Sequence, residues 1–160
     1  MTIIFGIDPG SVYTGFGVLE KKGSQLLHVD SGRICAGKSG VVDFSKRLVV
    51  IFRDLELLLD QHKPDVIAIE KVFSHINVST ALKLGQARGV ALCACERYAS
   101  GILHEFSPKA VKKTVTGFGA AKKEQIQYMI QRLLGLRCDV SEDAADALAI
   151  AITCAQSLTL

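Results

Sequence analysis

Five short apolar segments predict the strands of a single sheet. Residues 2–7 and 66–70 are nearly unbroken apolar runs, which is typical of strands that are covered on both faces. Segments 13–19 and 26–35 are separated by a Lys-Lys-Gly-Ser sequence and predict a hairpin. Residues 102–106 predict a fifth strand. The pattern therefore indicates a hairpin near the start of the chain and two isolated strands further along.

Apolar residues at helical spacing predict helices between and after these strands. Asp43 is placed to cap a first helix that extends to about His62, where Pro64 stops it. We expect its apolar face to consist of Phe44, Leu48, Phe52, Leu55 and Leu59. The other helices are expected from Asn77 or Ser79 to about Tyr98, from Pro108 after a Ser107 cap, at 121–134, and after a Ser141 cap.

The order of these elements indicates the fold class. A hairpin followed by helix, strand, helix, strand and further helices predicts an α/β protein whose mixed sheet has helices on both faces. The chain has 160 residues, 49% of them hydrophobic, and no linker or repeat, so we expect one domain over residues 1–160. No signal sequence opens the chain, and no uncharged stretch reaches the roughly 20 residues of a membrane span. We therefore expect a cytoplasmic protein.

A stripe of small residues runs along the second predicted helix. Ala81, Gly85, Gly89 and Cys93 recur every four residues and lie on one side of it. Each glycine inside a helix costs about 1 kcal/mol relative to alanine, so two of them need a compensating contact. Close packing of another backbone would provide it, either within the fold or across a dimer.

Positive charge is concentrated in one segment although the net charge is only +3. The segment from Lys109 to Lys123 holds five lysines and no acid. The rest of the chain carries more acids than bases. The five are Lys109, Lys112, Lys113, Lys122 and Lys123. A solvated helix face is the simpler explanation, and a surface that binds phosphates is the alternative.

Four acids stand among apolar residues where a lone carboxylate is unfavourable. Asp8 and Glu70 end apolar strands, and Asp143 and Asp146 interrupt a helix rich in Ala, Leu and Ile. Taken singly, each could be a turn, strand-end or helix-terminal acid that faces solvent. Burying an unpaired charge is costly, however, so four such residues indicate a shared partner, for which a bound cation suffices.

The predicted elements offer a way to bring these acids together. Asp8 and Glu70 follow strands expected to be neighbours, and Asp143 and Asp146 are three residues apart and share a helix face. If that helix end lies against the strand ends, the four carboxylates meet. Mg²⁺ prefers such oxygen ligands, and two such ions can activate water and stabilise the leaving oxygen in phosphodiester cleavage.

Five motifs in the same order resemble the RuvC family of Holliday-junction resolvases. They are Phe5-Gly6-Ile7-Asp8-Pro9-Gly10-Ser11 with Thr14-Gly15, Ile69-Glu70-Lys71-Val72-Phe73, Ala81-Leu82-Lys83-Leu84-Gly85-Gln86-Ala87-Arg88-Gly89, Val111-Lys112-Lys113-Thr114-Val115-Thr116-Gly117, and Asp143-Ala144-Ala145-Asp146-Ala147-Leu148-Ala149-Ile150. The resemblance spans essentially the whole chain. It implies a ribonuclease-H-like fold with a mixed five-stranded sheet, a homodimer, and metal-dependent nicking of two opposed strands at a four-way DNA junction during recombination and repair.

The resemblance also implies roles for particular residues. It assigns catalysis and metal binding to Asp8, Glu70, Asp143 and Asp146, with two Mg²⁺ ions per site, for which Mn²⁺ can substitute. It assigns DNA contacts to the lysine segment, above all to Lys112 and Lys123. Phe73 matches an aromatic residue that stacks on bases near the crossover, although a core phenylalanine is the alternative. The branch-migration proteins RuvA and RuvB are the partners that the family implies.

Three other functions remain open at this stage. An RNA/DNA-hybrid nuclease of the same fold would share the acids without needing paired active sites. A nucleotide binder of the actin or sugar-kinase type would also use an Asp-x-Gly turn, but a second phosphate turn is missing and 160 residues is short for two lobes. A non-catalytic junction-binding module would be favoured if the acids failed to bind metal.

Overall fold

The computed structural model describes residues 1–38, 40–71, 78–98 and 102–158. These ranges contain five strands and five helices. In chain order they are β1 (Thr2–Asp8), β2 (Tyr13–Lys22), β3 (Gln25–Cys35), α1 (Phe44–His62), β4 (Val66–Glu70), α2 (Val78–Tyr98), β5 (Ile102–Phe106), α3 (Pro108–Thr116), α4 (Lys123–Leu134) and α5 (Glu142–Ser157). All five predicted strands are confirmed, and α1 begins after Asp43 as expected, but the Asp43 side chain makes no capping hydrogen bond and pairs with Lys46 instead.

The strands form one mixed sheet in the order β3-β2-β1-β4-β5. β1 pairs antiparallel with β2, and β2 pairs antiparallel with β3 through the hairpin turn. β4 pairs in parallel with β1 and with β5. The N-terminal strand β1 is therefore central, and its carboxyl end lies at the same edge of the sheet as the carboxyl ends of β4 and β5.

Helices cover both faces of this sheet, which confirms the predicted fold class. On one face, α1 and α2 bury their apolar residues against alternate side chains of β1 and β4, such as Phe5 and Ile67. On the other face, α3, α4 and α5 pack on the intervening residues, such as Ile4 and Ala68. No helix within the described ranges is long and apolar enough to cross a membrane.

Helix α5 lies directly on the sheet because glycines face it. A Cβ at Gly6 would overlap the carbonyl oxygen of Ala147, and one at Gly17 would lie 2.8 Å from the backbone nitrogen of Leu148. Gly6 and Gly17 are paired opposite each other on β1 and β2. This close approach buries α5 almost completely beyond its first turn and fixes where its first residues lie relative to the strand ends.

The buried face of α1 differs from expectation, and the glycines of α2 distinguish between the two alternatives for its small-residue stripe. The fully buried line of α1 is Arg47, Ile51, Leu55 and Leu59, whereas Leu48 and Phe52 are only partly buried beside it. On α2, a Cβ added at Gly85 or Gly89 would meet no atom of the described residues within 4 Å. Neither glycine is therefore packed against another described element of the chain, which removes the alternative of packing within the fold at these two positions.

Candidate active site

Two of the four acids lie side by side at the edge of the sheet. Ile7 of β1 pairs in parallel with Ile69 of β4, and each acid is the next residue along its strand. Parallel strands end at the same edge, so Asp8 and Glu70 are neighbours there. Both side chains are partly buried. The apolar runs before them hold the two strands inside the sheet and so position the acids.

Helix α5 brings the other two acids to the same edge. Its first turn begins at Ser141, whose Oγ accepts a hydrogen bond from the backbone N–H of Ala144 at 3.4 Å. Asp143 lies in this first turn and Asp146 one turn further along. The positive end of the helix dipole lies in the same turn and favours carboxylates there.

A cleft of about 260 Å³ opens at this edge between the strand ends and helices α3, α4 and α5. Three carboxylates and two ammonium groups line it together with an apolar wall. The lining residues are Asp8, Glu70, Asp146, Lys112, Lys123, Pro108, Val111 and Ile126. The structure thus brings three of the four predicted acids and two of the five predicted lysines into one cleft.

Burial and mutual repulsion raise the pKa values of the acids that line this cleft. Burial is the largest cause of the strongly raised pKa of Asp8, and the charges of Glu70, Asp146 and Asp143 add to it in that order. Burial is also the first cause of the raised pKa of Glu70, which reaches about 7, with Asp146 second. The pKa of Asp146 is raised as well, again chiefly by burial. The lysines of the cleft oppose these rises without cancelling them.

The chemistry of these acids fits a divalent cation. The carboxylates of Asp8, Glu70 and Asp146 form no hydrogen bond or ion pair with another described residue, although each is partly buried. Carboxylate oxygens without protein partners are the ligands that a hard cation such as Mg²⁺ prefers. Binding a cation would offset both the burial and the repulsion that raise the three pKa values.

Asp143 lies beside the cleft and does not line it. Its Oδ2 is 3.5 Å from Nη1 of Arg33 on β3. Its charge still raises the pKa of Asp8 and of Asp146, so it is electrostatically part of the same group. Within the described ranges, no three acidic, histidine or cysteine side chains are arranged as a ready-made metal-binding group.

The lysine segment divides between the cleft and the surface. Lys112 on α3 and Lys123 at the start of α4 line the cleft, and Lys123 also forms an ion pair with Glu142. Lys109, Lys113 and Lys122 are exposed. Phe73, the predicted base-stacking residue, falls outside the described residues.

Two arginines support the strand ends and were not assigned roles from the sequence. The Nε of Arg88 on α2 donates a hydrogen bond of 2.9 Å to the carbonyl oxygen of Glu70, and its guanidinium pairs with Glu105. Arg47 is 2% exposed, and its Nη1 donates to the carbonyl oxygen of Ser11 at 2.9 Å, in the turn after Asp8. Arg47 continues a line of buried residues, Ile51, Leu55 and Leu59, that are spaced four apart. This spacing in the sequence could have indicated that the arginine is buried.

A family model, curated relatives and a solved structure all match this chain and all bear the same family name. The family model described as crossover junction endodeoxyribonuclease RuvC matches residues 4–154. A crossover junction endodeoxyribonuclease RuvC from Citrifermentans bemidjiense is 46% identical over 155 residues, which cover 97% of this chain and 93% of the relative. One from Serratia proteamaculans is 48% identical over 153 residues, covering 96% and 86%. The solved structure of T. thermophilus RuvC in complex with a Holliday junction substrate is similar with a TM-score of 0.85, at 29% identity and with 96% and 92% of the two chains covered.

Proposed function

The chain belongs to the RuvC family of crossover junction endodeoxyribonucleases, and we propose that its cleft is where it cuts four-way DNA junctions. The observation that carries this assignment is the set of three partly buried carboxylates, without protein partners, that share one cleft with two lysines. A strand of DNA is a matching substrate: its phosphates are bound by ammonium groups, and a divalent cation promotes their hydrolysis. The reaction is hydrolysis of a phosphodiester bond in recombination and repair.

Nucleases of this family depend on metal ions, and we infer that Asp8, Glu70, Asp143 and Asp146 are the ligands in this chain. We infer Mg²⁺, with Mn²⁺ as a substitute and two ions per site, because Mg²⁺ binds through one or two carboxylates per ion together with substrate phosphates. Bound there, the ions would supply an activated water and a stabilised leaving oxygen. The acids must be ionised to act as ligands, and the pKa of Glu70 is about 7 without metal, so binding of a cation below that pH would release a proton from Glu70.

The lysines supply the charge that holds the DNA backbone. Lys112 and Lys123 line the cleft, which supports a contact between their ammonium groups and the phosphate that is cut or its neighbours. Lys109, Lys113 and Lys122 extend this positive surface along α3 and the start of α4. Such contacts are independent of base sequence and weaken with salt. Phe73 stays a prediction as a base-stacking residue.

Paired nicks at a junction require two active sites, and a homodimer supplies them. A two-fold dimer presents identical clefts to a substrate that is itself nearly two-fold symmetric. We infer that the small residues of α2 lie at the contact, because Gly85 and Gly89 meet no described atom of their own chain where side chains would be. RuvA and RuvB as partners, the single nuclease domain over residues 1–160 and a cytoplasmic location remain predictions from the sequence.

One assay tests this function against its alternatives. Purified protein with Mg²⁺ is offered a synthetic four-way junction, a linear duplex and an RNA/DNA hybrid, with Asp8→Asn as the inactive control. Symmetric nicks in the junction alone are expected. Preferred cleavage of the hybrid would identify an RNA/DNA-hybrid nuclease instead. Junction binding without cleavage by the unmodified chain would identify a non-catalytic binding module.

A further inference from the structure

Arg33 lies in the same row of the sheet as the first catalytic acid. Asp8 on β1 pairs with Gly15 on β2, and Gly15 pairs with Arg33 on β3. Directly opposed residues of antiparallel strands project to the same face, here the face that α5 covers. Gly15 has no side chain, and the backbone of Asp143 occupies the space above it. The first turn of α5 therefore lies between Asp8 on one side and Arg33 on the other.

The guanidinium of Arg33 is held in place from two directions. Its Nη1 lies 3.5 Å from Oδ2 of Asp143, and its Cζ lies 4.2 Å from the centroid of the Tyr13 ring. Tyr13 is two residues before Gly15 on β2 and so projects to the same face. A guanidinium stacked on an aromatic ring keeps its planar fork in a fixed orientation. Arg33 therefore presents a positioned positive charge to Asp143.

The carboxylate of Asp143 therefore lies between the other acids of the site and the guanidinium of Arg33. On one side are Asp8 and Asp146, which lie close enough to feel its charge. On the other side is Arg33, with which its carboxylate is paired while the other three acids line the cleft without it. A carboxylate that accepts from a guanidinium is a poorer ligand for a cation.

We propose that Arg33 is a positioning residue that holds Asp143 at the rim of the cleft and so lowers the affinity of the four-acid site for its divalent cations. This inference rests on the proposed function, because it takes Asp143 to be a metal ligand. Arg33 touches neither DNA nor cation in this role and acts only through Asp143. Arg33 thereby raises the Mg²⁺ concentration at which all four acids bind the cations.

Metal binding in the absence of DNA tests the proposal without relying on activity. Mn²⁺ is titrated into the protein and free Mn²⁺ is followed by electron paramagnetic resonance, for the unmodified chain and for Arg33→Gln. Arg33→Gln is expected to bind Mn²⁺ roughly fivefold more tightly, the upper range for loss of an exposed ion pair. Arg53→Gln is the matched control, since it removes the same charge from an ion pair with Asp54 on α1. Unchanged or weaker binding by Arg33→Gln would overturn the proposal.

A double-mutant cycle separates this proposal from the assignment of Asp143 as a ligand. Asp143→Asn alone is expected to weaken Mn²⁺ binding, and Arg33→Gln is expected to have no further effect in the Asp143→Asn background. Equal tightening in both backgrounds would mean that Arg33 acts only as a distant charge, which would refute a positioning role. If Asp143→Asn leaves Mn²⁺ binding unchanged, the ligand assignment under the proposed function fails, whatever Arg33 does.

Discussion

The backbone carbonyl of Asp143 rests against Gly15 in the space that a side chain at position 15 would fill. This contact joins the first turn of α5 to the strand beside β1 and so determines how far the helical acids lie from Asp8. It is a backbone contact, which cannot yield as the end of a flexible side chain can. The position of the acids relative to one another therefore depends on a residue that has no chemistry of its own.

Gly15→Ala is expected to displace the start of α5. The new methyl group would overlap the carbonyl of Asp143, and overpacking of this kind typically costs about 1–3 kcal/mol. We expect the melting temperature to fall by several degrees and junction cleavage to fall with it. Gly119→Ala is the control, because its methyl group would meet mainly the flexible side chain of Lys109. Equal losses in both variants would contradict the special role of Gly15.

Asp8→Asn is expected to abolish cleavage while junction binding persists. The substitution removes one proposed metal ligand and leaves all lysines of the cleft in place. Gel-shift affinity for a four-way junction and cleavage in Mg²⁺ are measured side by side. Loss of binding together with cleavage would indicate that Asp8 has a structural role. A variant that still cuts at an ordinary rate would remove Asp8 from the active site.

The stability of the metal-free protein is expected to fall as the pH rises through about 7. The pKa of Glu70 is about 7 in the fold against 4.5 for an ordinary glutamate, so the folded state binds this proton more tightly. Its stabilising contribution is complete below pH 4.5 and is lost as the pH rises through 7. Melting temperatures in a chelator from pH 5.5 to 8.5 measure the effect, which should amount to several degrees.

Glu70→Gln provides the control for that pH dependence. Glutamine keeps the shape of the side chain but does not titrate, so the melting temperature of this variant should depend less steeply on pH. The difference between the two proteins isolates the contribution of Glu70. If the melting temperatures of the two proteins change equally with pH, Glu70 is not the group responsible.

Lys112→Ala is expected to weaken junction binding and to reduce its dependence on salt. Loss of one phosphate contact should lower the slope of log affinity against log salt by about 0.9 on duplex arms. Binding is measured at several salt concentrations. Lys46→Ala is the control, because it removes an exposed lysine that pairs with Asp43 and does not line the cleft. A slope identical to that of the unmodified protein would exclude a phosphate contact at Lys112.

Gly89→Leu is expected to weaken dimerisation without unfolding the monomer. The larger side chain meets no described atom of its own chain within 4 Å of the Cβ, so it should interfere only with a second molecule. Sedimentation equilibrium gives the dimer dissociation constant. Val49→Leu, on the exposed face of α1, is the control for adding apolar volume to a helix surface. An unchanged dimer constant would place the contact elsewhere.

Much of the fold could be predicted because its signals are local. The apolar runs before Asp8 and Glu70 set two neighbouring strands, and caps at Ser107 and Ser141 set the starts of two helices. These features need only residues close in sequence, since strand and helix periodicities and caps act within a few positions. The same locality allowed the acids to be recognised from the apolar residues around them.

The buried face of α1 shows where local patterns fail. Phe44, Leu48 and Phe52 are apolar at helical spacing, yet Arg47 and Ile51 occupy the buried line. An arginine is accepted there because the carbonyl of Ser11, from the turn after β1, receives one of its donors. The four-residue spacing of Arg47, Ile51, Leu55 and Leu59 is visible in the sequence, but only the packed structure supplies the acceptor that makes a buried arginine acceptable.

The sequence by itself determined which elements form and which acids stand at their ends, because hydrophobic periodicity, capping and strand-end positions are encoded within short segments. Only the tertiary structure decided that Asp146 shares the cleft with Asp8 and Glu70 whereas Asp143 pairs with Arg33. Those relationships join residues more than 60 positions apart. They depend on how closely α5 approaches the sheet, and glycines on two strands set that distance through contacts that no local pattern encodes.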